Sequence, residues 1–382
     1  MRILIAPNAF KNSLDASLVA EAINKGLQQS TLSCSIECFP VGDGGDGTAT
    51  LIVQHFNGKM LEATVHDPLG RKIAAPFGIT DQDQTAVIEL ADASGLRLLQ
   101  PGEYDPLHAS TYGTGELIKK ALEREVKKII LCIGGSATVD AATGIIQALG
   151  AKFYDHKGNE LSHLPASLTD LSRIDLSGID KRLQDIELIV LCDVENSLLG
   201  SHGAANIFGP QKGASAKDVQ QLENVLAKFR SVVLDKTGKD MAAVKYGGAA
   251  GGVAAGLYAL LDAKLVNGID YFLDITAFDA ALQHADLVIT GEGSIDIQTL
   301  QGKAPFGVAK RAKQRSIPVI GLAGKVPLYP DDALQQYFDV LVPISHEAMD
   351  TKTALRHTYD NLLRTAQCLG ELLNLKKVIQ DK

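Results

Sequence analysis

The sequence predicts an α/β protein built from two α/β domains, and three observations carry that prediction. Apolar runs of strand length alternate with helical stretches near both ends of the chain, the rhythm of a parallel sheet with crossover helices. Between Gly58 and Leu90 this rhythm gives way to short alternating runs punctuated by turns, as in antiparallel strands. At 382 residues the chain is also longer than one hydrophobic core normally organises.

Taken in order, "RILIA" is the first strand, a helix runs from about Asp15 to Gln29, "SIECFPV" is the second strand, and a helix follows Thr48. The segments "KMLEATVHD", "KIAAPFGIT" and "TAVIELA" are antiparallel strands, with "DPLGR" and "TDQDQ" as turns and a domain boundary near residue 65. The parallel rhythm resumes with a helix over "GELIKKALEREV", a buried strand in "KKIILCIGG" and a helix over "ATGIIQALG". A polar stretch from about Asp155 to Gln184 precedes the next strand, "IELIVLCDV". Residues Ala216 to Leu234 are helical, and "GGAAGGVAAGLYALLDA" is a glycine-rich turn feeding a small-residue helix. The last alternations are "DLVITGEG", a helix near Pro305 to Arg315, "IPVIGLAG", "FDVLVPIS" and a long helix after Thr351. These late strands can complete the sheet begun by "RILIA", which gives a discontinuous domain over 1–65 and 285–382 with residues 66–284 inserted.

The formal net charge of −8 argues against nucleic-acid backbones or anionic membranes as the principal partner, because either asks for a basic face. A small-molecule substrate fits better. Cys34, Cys38, Cys132, Cys192 and Cys368 are too scattered for a disulfide framework, and Cys34 and Cys38 have no companion Cys/His pair to complete a zinc site. No histidine lies in an H-E-x-x-H array. The opening "MRILIAPNAF" starts directly on a strand pattern without the features of a signal peptide, and no apolar run approaches the roughly 20 residues that span a bilayer. A cytoplasmic protein is expected.

Chemistry is expected where polar or glycine-rich stretches follow apolar strands, since ligands of open α/β sheets bind at the carboxyl ends of the strands. In "PVGDGGDGTAT", Gly42, Gly44 and Gly47 have the G-x-G-x-x-G spacing of a dinucleotide turn, and Asp67 lies near the offset of a ribose-binding acid. Asp43 and Asp46 oppose that reading, because they would face a pyrophosphate with like charge where working turns offer backbone N–H groups. Carboxylates on a tight turn can instead hold a cation and take a proton from a hydroxyl; the plainer alternative has Asp46 capping the following helix and Asp43 solvated. "IGGSATVD" sets Gly134, Gly135 and Ser136 at an expected helix N-terminus, a place for an anion or an ordinary connection. "GGAAGG" precedes a helix in the same way, though small residues also permit close packing. "GEGSIDIQTLQGK" gathers Glu292, Asp296, Gln298, Thr299 and Lys303, enough to hold a metal-phosphate with a balancing lysine. Lys11 in "APNAFKNSL" can neutralise a carboxylate or phosphate, and Asp193 in "CDVENSLLG" stands at a further such edge, after the strand "ELIVL". The phosphate-loop formula is absent, because Gly302 and Lys303 are followed by Ala304 and position 297 is Ile297.

Ten segments in order, "APNAFKNSLDA", "PVGDGGDGT", "DPLGR", "ASTYGTGELI", "IGGSATVDAATGIIQALG", "CDVENSLLG", "GAANIFGPQKGA", "GGAAGGVAAGL", "DLVITGEGSIDIQTLQGKAPFGVA" and "VIGLAG", resemble the type 1 glycerate kinase family across nearly the whole chain. The resemblance implies a Rossmann-like parallel α/β domain carrying an inserted second α/β domain, with the site in the cleft. It implies a cytoplasmic bacterial kinase that phosphorylates D-glycerate with ATP and Mg2+, most naturally at the 2-hydroxyl, and it allows a homo-oligomer. In that setting Asp43 or Asp46 is the expected base and Lys11 a catalytic cation. Gly44, Gly45, Gly134, Gly135, Ser136, Thr138, Asp193, Glu292, Gln298, Thr299 and Lys303 are expected to bind substrate or phosphate, and Asp296 with Glu292 to hold the metal. The chain departs from the family pattern at Ser294, where arginine is usual, at Ala141 and Ala142, where "DGG" is common, and at Ser197, where proline is usual. Loss of the arginine removes one charge-neutralising group near the phosphates. The rival classes are a catalytically weakened binding homologue and a dinucleotide-dependent dehydrogenase.

Overall fold

Strand alternation governs where the apolar residues go, and the computed structural model shows it in two separate sheets. The structure describes residues 1–81, 84–329 and 331–380, with side chains described to residue 375. In chain order the strands are β1 Arg2–Ile5, β2 Ser35–Cys38, β3 Lys59–His66, β4 Lys72–Thr80, β5 Thr85–Glu89, β6 Lys128–Cys132 and β7 Lys152–Tyr154. They continue with β8 Arg173–Asp175, β9 Glu187–Cys192, β10 Lys264–Asn267, β11 Leu287–Ser294, β12 Val319–Lys325 and β13 Val340–Pro343. The chain divides into two compact units, one formed by Met1–Asp43 together with the chain from Ile269 onward, the other by Gly44–Gly268.

The first unit holds a parallel sheet in the order β13-β12-β11-β1-β2. The late strands do complete the sheet begun by "RILIA": Ile3, Leu4 and Ile5 pair in parallel with Leu287, Val288 and Ile289. Ile3, Ile5, Ile289 and Leu322 pack with Ile23 and Leu27 of the helix Ala16–Gln28 and with Leu362 and Ala366 of the helix Thr358–Gln380. Leu4 and Val288, on the opposite face by alternation, are buried as well, as parallel strands covered on both faces should be. Asp15 starts the first of these helices by accepting from the Leu18 N–H at 2.8 Å. Gly26 allows the helices to touch, since a Cβ there would lie 2.2 Å from the Leu363 carbonyl oxygen.

The second unit holds a six-stranded sheet in the order β10-β9-β6-β5-β4-β3, antiparallel where β4 meets β3 and β5 and parallel elsewhere. Its core runs through Ile88, Leu117, Ile129, Leu131, Ile145, Phe153, Val190 and Phe229. The change of unit at Asp43/Gly44 and Gly268/Ile269 differs from the boundaries read at 65/66 and 284/285. Three contacts explain the shift. The helix Thr48–His55 packs on β4, where a Cβ on Gly78 would lie 2.1 Å from Val53 Cγ2, so it goes with the second unit. Phe278 instead packs edge-on against Phe39 with ring centroids 5.1 Å apart, and Gly307 closes on Ile269, so those residues go with the first.

The polar stretch after Asp155 contains β8, which pairs antiparallel with β7, and short 3-10 turns at Ala166–Asp170 and Lys181–Asp185. Of the expected "TDQDQ" turn, Asp81 and Gln84 are joined by a backbone hydrogen bond of 3.2 Å, and residues 82 and 83 lie outside the described residues. No helix among the described residues is long and apolar enough to cross a membrane. None of the five cysteines is disulfide-bonded.

Candidate active site

In the first unit the carboxyl ends of three neighbouring strands, β11, β1 and β2, deliver the polar residues, and the connections that follow β1 and β11 run in opposite directions from this point, to β2 and to β12. Asn8 follows β1 and donates its backbone N–H to the Gly291 carbonyl at 2.8 Å. Its Nδ2 donates to Asp43 Oδ2 at 2.9 Å, and both residues are buried. Glu292, near the end of β11, is buried too; its Oε1 accepts from Thr299 Oγ1 at 3.0 Å and lies 3.8 Å from Lys303 Nζ. Burial pushes the Glu292 carboxyl up to about 7; Lys303 opposes this, the Asp43 charge adds to it, and Thr299 and Lys11 oppose it more weakly. Lys11 reaches this cluster through its charge, and its backbone nitrogen lies 3.8 Å from where a Cβ on Gly293 would stand. Asp43, Glu292, Thr299, Lys303 and Lys11 are thus brought together. Asp296 adjoins the cluster through Thr299, whose Oγ1 accepts its backbone N–H at 3.1 Å; the Asp296 Oδ1 accepts from the Gln298 N–H at 2.9 Å, starting the 3-10 turn Ile297–Gln301, and the Gln298 side chain is exposed. Ser294 pairs in register with Lys325 of β12.

In the second unit the carboxyl ends of β5, β6 and β9 gather the remaining expected residues. Gly44 has φ +92°, and a Cβ there would lie 2.7 Å from the Leu191 carbonyl oxygen, so the turn requires glycine. Its carbonyl accepts from Gly134 N–H at 2.9 Å, and a Cβ on Gly134 would lie 2.5 Å from Gly45 Cα. Gly44, Gly45 and Gly134 therefore lock two turns together by close backbone approach. Asp46 does not cap the helix Thr48–His55. Gly47 begins that helix with φ 85°, and Glu89 Oε1 accepts from the Ala49 N–H at 2.8 Å. Asp46 instead sits exposed beside Gly135, with Oδ1 3.3 Å from an Arg97 nitrogen, and Arg97 also pairs with Asp92. Burial pushes Glu89 up to about 7 and Asp92 up to about 6.

Ser136 is not at a helix N-terminus, contrary to the sequence expectation. The helix begins only at Thr143, and the buried Asp140 takes its first N–H groups, accepting from Ala142 and Gly144 at 3.2 Å and from Thr111 N–H and Oγ1 at 2.9 and 2.7 Å. Ser136 is held by a lysine instead: Lys212 Nζ donates to Ser136 Oγ and to the Thr138 carbonyl, both at 2.7 Å. Asp193 is half-buried and acts on Lys212 through its charge. The "GGAAGG" glycines serve packing. A Cβ on Gly251 would lie 2.1 Å from the Thr138 carbonyl oxygen and one on Gly256 1.9 Å from that of Ala141. The Asp67 of the dinucleotide reading is buried and holds its own turn, accepting from Leu69 and Arg71 N–H groups at 2.9 Å. Among the described residues no group of three or more His, Cys, Asp or Glu side chains stands ready for a metal.

Sequence reasoning did not single out Asn8, Glu89, Arg97, Asp140 or Lys212 as site residues. Asn8 and Asp140 lie inside the stretches "APNAFKNSL" and "IGGSATVD", and Lys212 carries its own local signal, a lysine inside the Gly/Pro turn "FGPQKGA". Its partner Ser136 is 76 residues away.

Buried carboxyls beside lysines at the carboxyl edge of a parallel sheet are the setting in which α/β enzymes bind small polar ligands. The profile of the Glycerate kinase family matches residues 3–374. The chain is 41% identical over 379 residues to glycerate kinase from Bacillus subtilis (strain 168), with 99% of each chain covered. It is 42% identical over 377 residues to glycerate 2-kinase from Escherichia coli (strain K12), with 98% of each covered. A crystal structure assigned to glycerate kinase 2 of Salmonella typhimurium LT2 matches with a TM-score of 0.82 at 39% identity over 99% of both chains. The chain belongs to the glycerate kinase family, and it is an enzyme of the kinase class.

Proposed function

We propose that the protein transfers the γ-phosphoryl group of ATP to the 2-hydroxyl of D-glycerate, forming 2-phosphoglycerate and ADP in the cytoplasm with Mg2+ as cofactor. The observation that carries this reading is the buried Asp43 carboxylate, oriented by Asn8 at 2.9 Å beside the Glu292, Thr299 and Lys303 cluster. Its support from kinship is a relative 42% identical that bears the name glycerate 2-kinase.

Phosphoryl transfer asks mainly for positioning and charge neutralisation. Asp43 accepts the proton of the glycerate hydroxyl as its oxygen bonds to phosphorus and the bond to the ADP oxygen breaks. Asp43 is preferred to Asp46 as base because it is buried and fixed by an amide, whereas Asp46 is exposed and engaged by Arg97. Lys11 and Lys303 offset the negative charge that the substrates bring to this cluster. The donor chemistry suits Mg2+: Glu292 is a buried oxygen ligand whose ionisation is opposed by burial and by Asp43, an imbalance that a cation would relieve. Glu292 and Asp296 would hold the ion, which supplies neutralisation of phosphate oxygens when bound. In the second unit Ser136, Thr138 and Asp193 are proposed to meet substrate or phosphate groups, and Gly44, Gly45, Gly134 and Gly135 to shape the turns that present them.

A coupled assay of ADP formation with D-glycerate and Mg-ATP tests the reaction, and phosphorus NMR of the product tests its position. D-glycerate-dependent ADP with 2-phosphoglycerate is expected. Formation of 3-phosphoglycerate would overturn the regiochemistry, and no glycerate-dependent ADP would overturn the reading as a whole.

A further inference from the structure

Lys212 is almost fully buried, yet its ammonium ends on two groups of the "GGSATVD" turn, Ser136 Oγ and the Thr138 carbonyl, each at 2.7 Å. An ammonium only donates, so the Ser136 oxygen is occupied as an acceptor and its own O–H must be directed elsewhere. Ser136 adjoins the exposed Gly135, and the fully buried Thr138 Oγ1 has no hydrogen-bond partner. We infer that Lys212 is a positioning residue that turns the Ser136 hydroxyl into a directed donor for an anionic oxygen of the substrates, the carboxylate of the hydroxy acid or a phosphate of the nucleotide. The inference rests on the placement of Ser136 in the substrate-binding turn proposed above.

The arrangement depends on the lysine charge. Burial holds Lys212 down at about 7, while Asp140 and Asp193, the carboxylates that act on it, favour its charged form. Below that pH the ammonium donates to Ser136 and leaves the hydroxyl proton for the ligand. Above it the neutral amine accepts from Ser136, and the donor turns away.

The test compares wild type with Lys212→Met, Lys212→Arg and Ser136→Ala, after thermal melts establish that each variant folds. Calorimetric binding of D-glycerate and, separately, of ADP is measured from pH 6 to pH 9, with KM and kcat for D-glycerate and ATP alongside. One of the two probes is expected to lose about 10-fold or more in affinity in Lys212→Met and Ser136→Ala, the scale of a lost hydrogen bond to a charged group. The probe that responds identifies the source of the anionic oxygen. Wild-type affinity for that probe should fall as pH rises through about 7, and Lys212→Arg should retain binding without that fall. Wild-type affinities in a folded Ser136→Ala, or a wild-type profile flat across pH 7, would overturn the inference. Absence of glycerate kinase turnover in the wild type would sink the proposed function instead, and the binding series would still judge Lys212.

Discussion

At the scale of single residues, Glu292 is a carboxyl that folding makes harder to ionise: burial raises it from its ordinary 4.5 to about 7. The folded protein therefore holds this proton more tightly than the unfolded chain does. The associated stability is fully present below about pH 4.5 and is lost as pH rises through about 7. Glu292→Gln should remove that loss, so the melting temperature of the variant relative to wild type should climb between pH 5 and pH 8, readable by scanning fluorimetry without ligands. A constant difference would mean that the carboxyl is solvated in the fold. Asp43→Asn should cut kcat by about 10²-fold or more while leaving the melt nearly unchanged. Asp46→Asn should cost less than about 10-fold, and steady-state kinetics on both variants would rank the two acids. Asp43, Glu292 and Lys303 were legible in the sequence because each lies in a short polar stretch just after an apolar strand. Arg97 and Lys212 were not, because their partners Asp46 and Ser136 lie 51 and 76 residues away, and only the finished sheet brings them near.

At the scale of elements, glycine-rich turns proved ambiguous where strands were not. "RILI" and "DLVI" read plainly as buried parallel strands, while "GGAAGG" resembled a helix entry that receives an anion. Local sequence cannot tell a glycine that frees an N–H from one that admits a neighbour. Here Ala250, Gly251 and Gly252 are left-handed at φ 53°, 70° and 90°, so no regular helix N-terminus forms. Ala141 and Ala142 on the facing turn are left-handed too, at φ 48° and 64°, which explains physically why glycines suit those positions. A sign test separates packing from intrinsic propensity. Alanine for glycine inside a helix ordinarily stabilises by about 1 kcal/mol, but a Cβ on Gly256 would stand 1.9 Å from the Ala141 carbonyl oxygen. Gly256→Ala should therefore destabilise the protein by about 2 kcal/mol or more, measured by denaturant melts. A stabilised variant would refute the packing role.

At the scale of the whole molecule, one unit is continuous in sequence and the other is not. Gly44–Gly268 contains its whole six-stranded sheet and core, so a fragment of those residues should fold alone with a cooperative thermal melt. A fragment beginning at Ile269 should not, because it lacks β1 and β2 and leaves β11 without its neighbour; circular dichroism should show folding only when the segment Met1–Asp43 is supplied. The discontinuity was foreseeable from strand-like runs at both chain ends, but its seams were not, since packing of the helix Thr48–His55 on β4 decides them. Discontinuity also sets a timetable for the chain as it is made. The hydroxyl of Thr290 bonds the Ala6 carbonyl across 284 residues, and a ribosome adding about 5–20 residues per second needs roughly 15–60 s to bridge that interval. For all that time the nascent β1 has emerged without its neighbour β11, the partner of Ile3, Leu4 and Ile5 in the finished sheet.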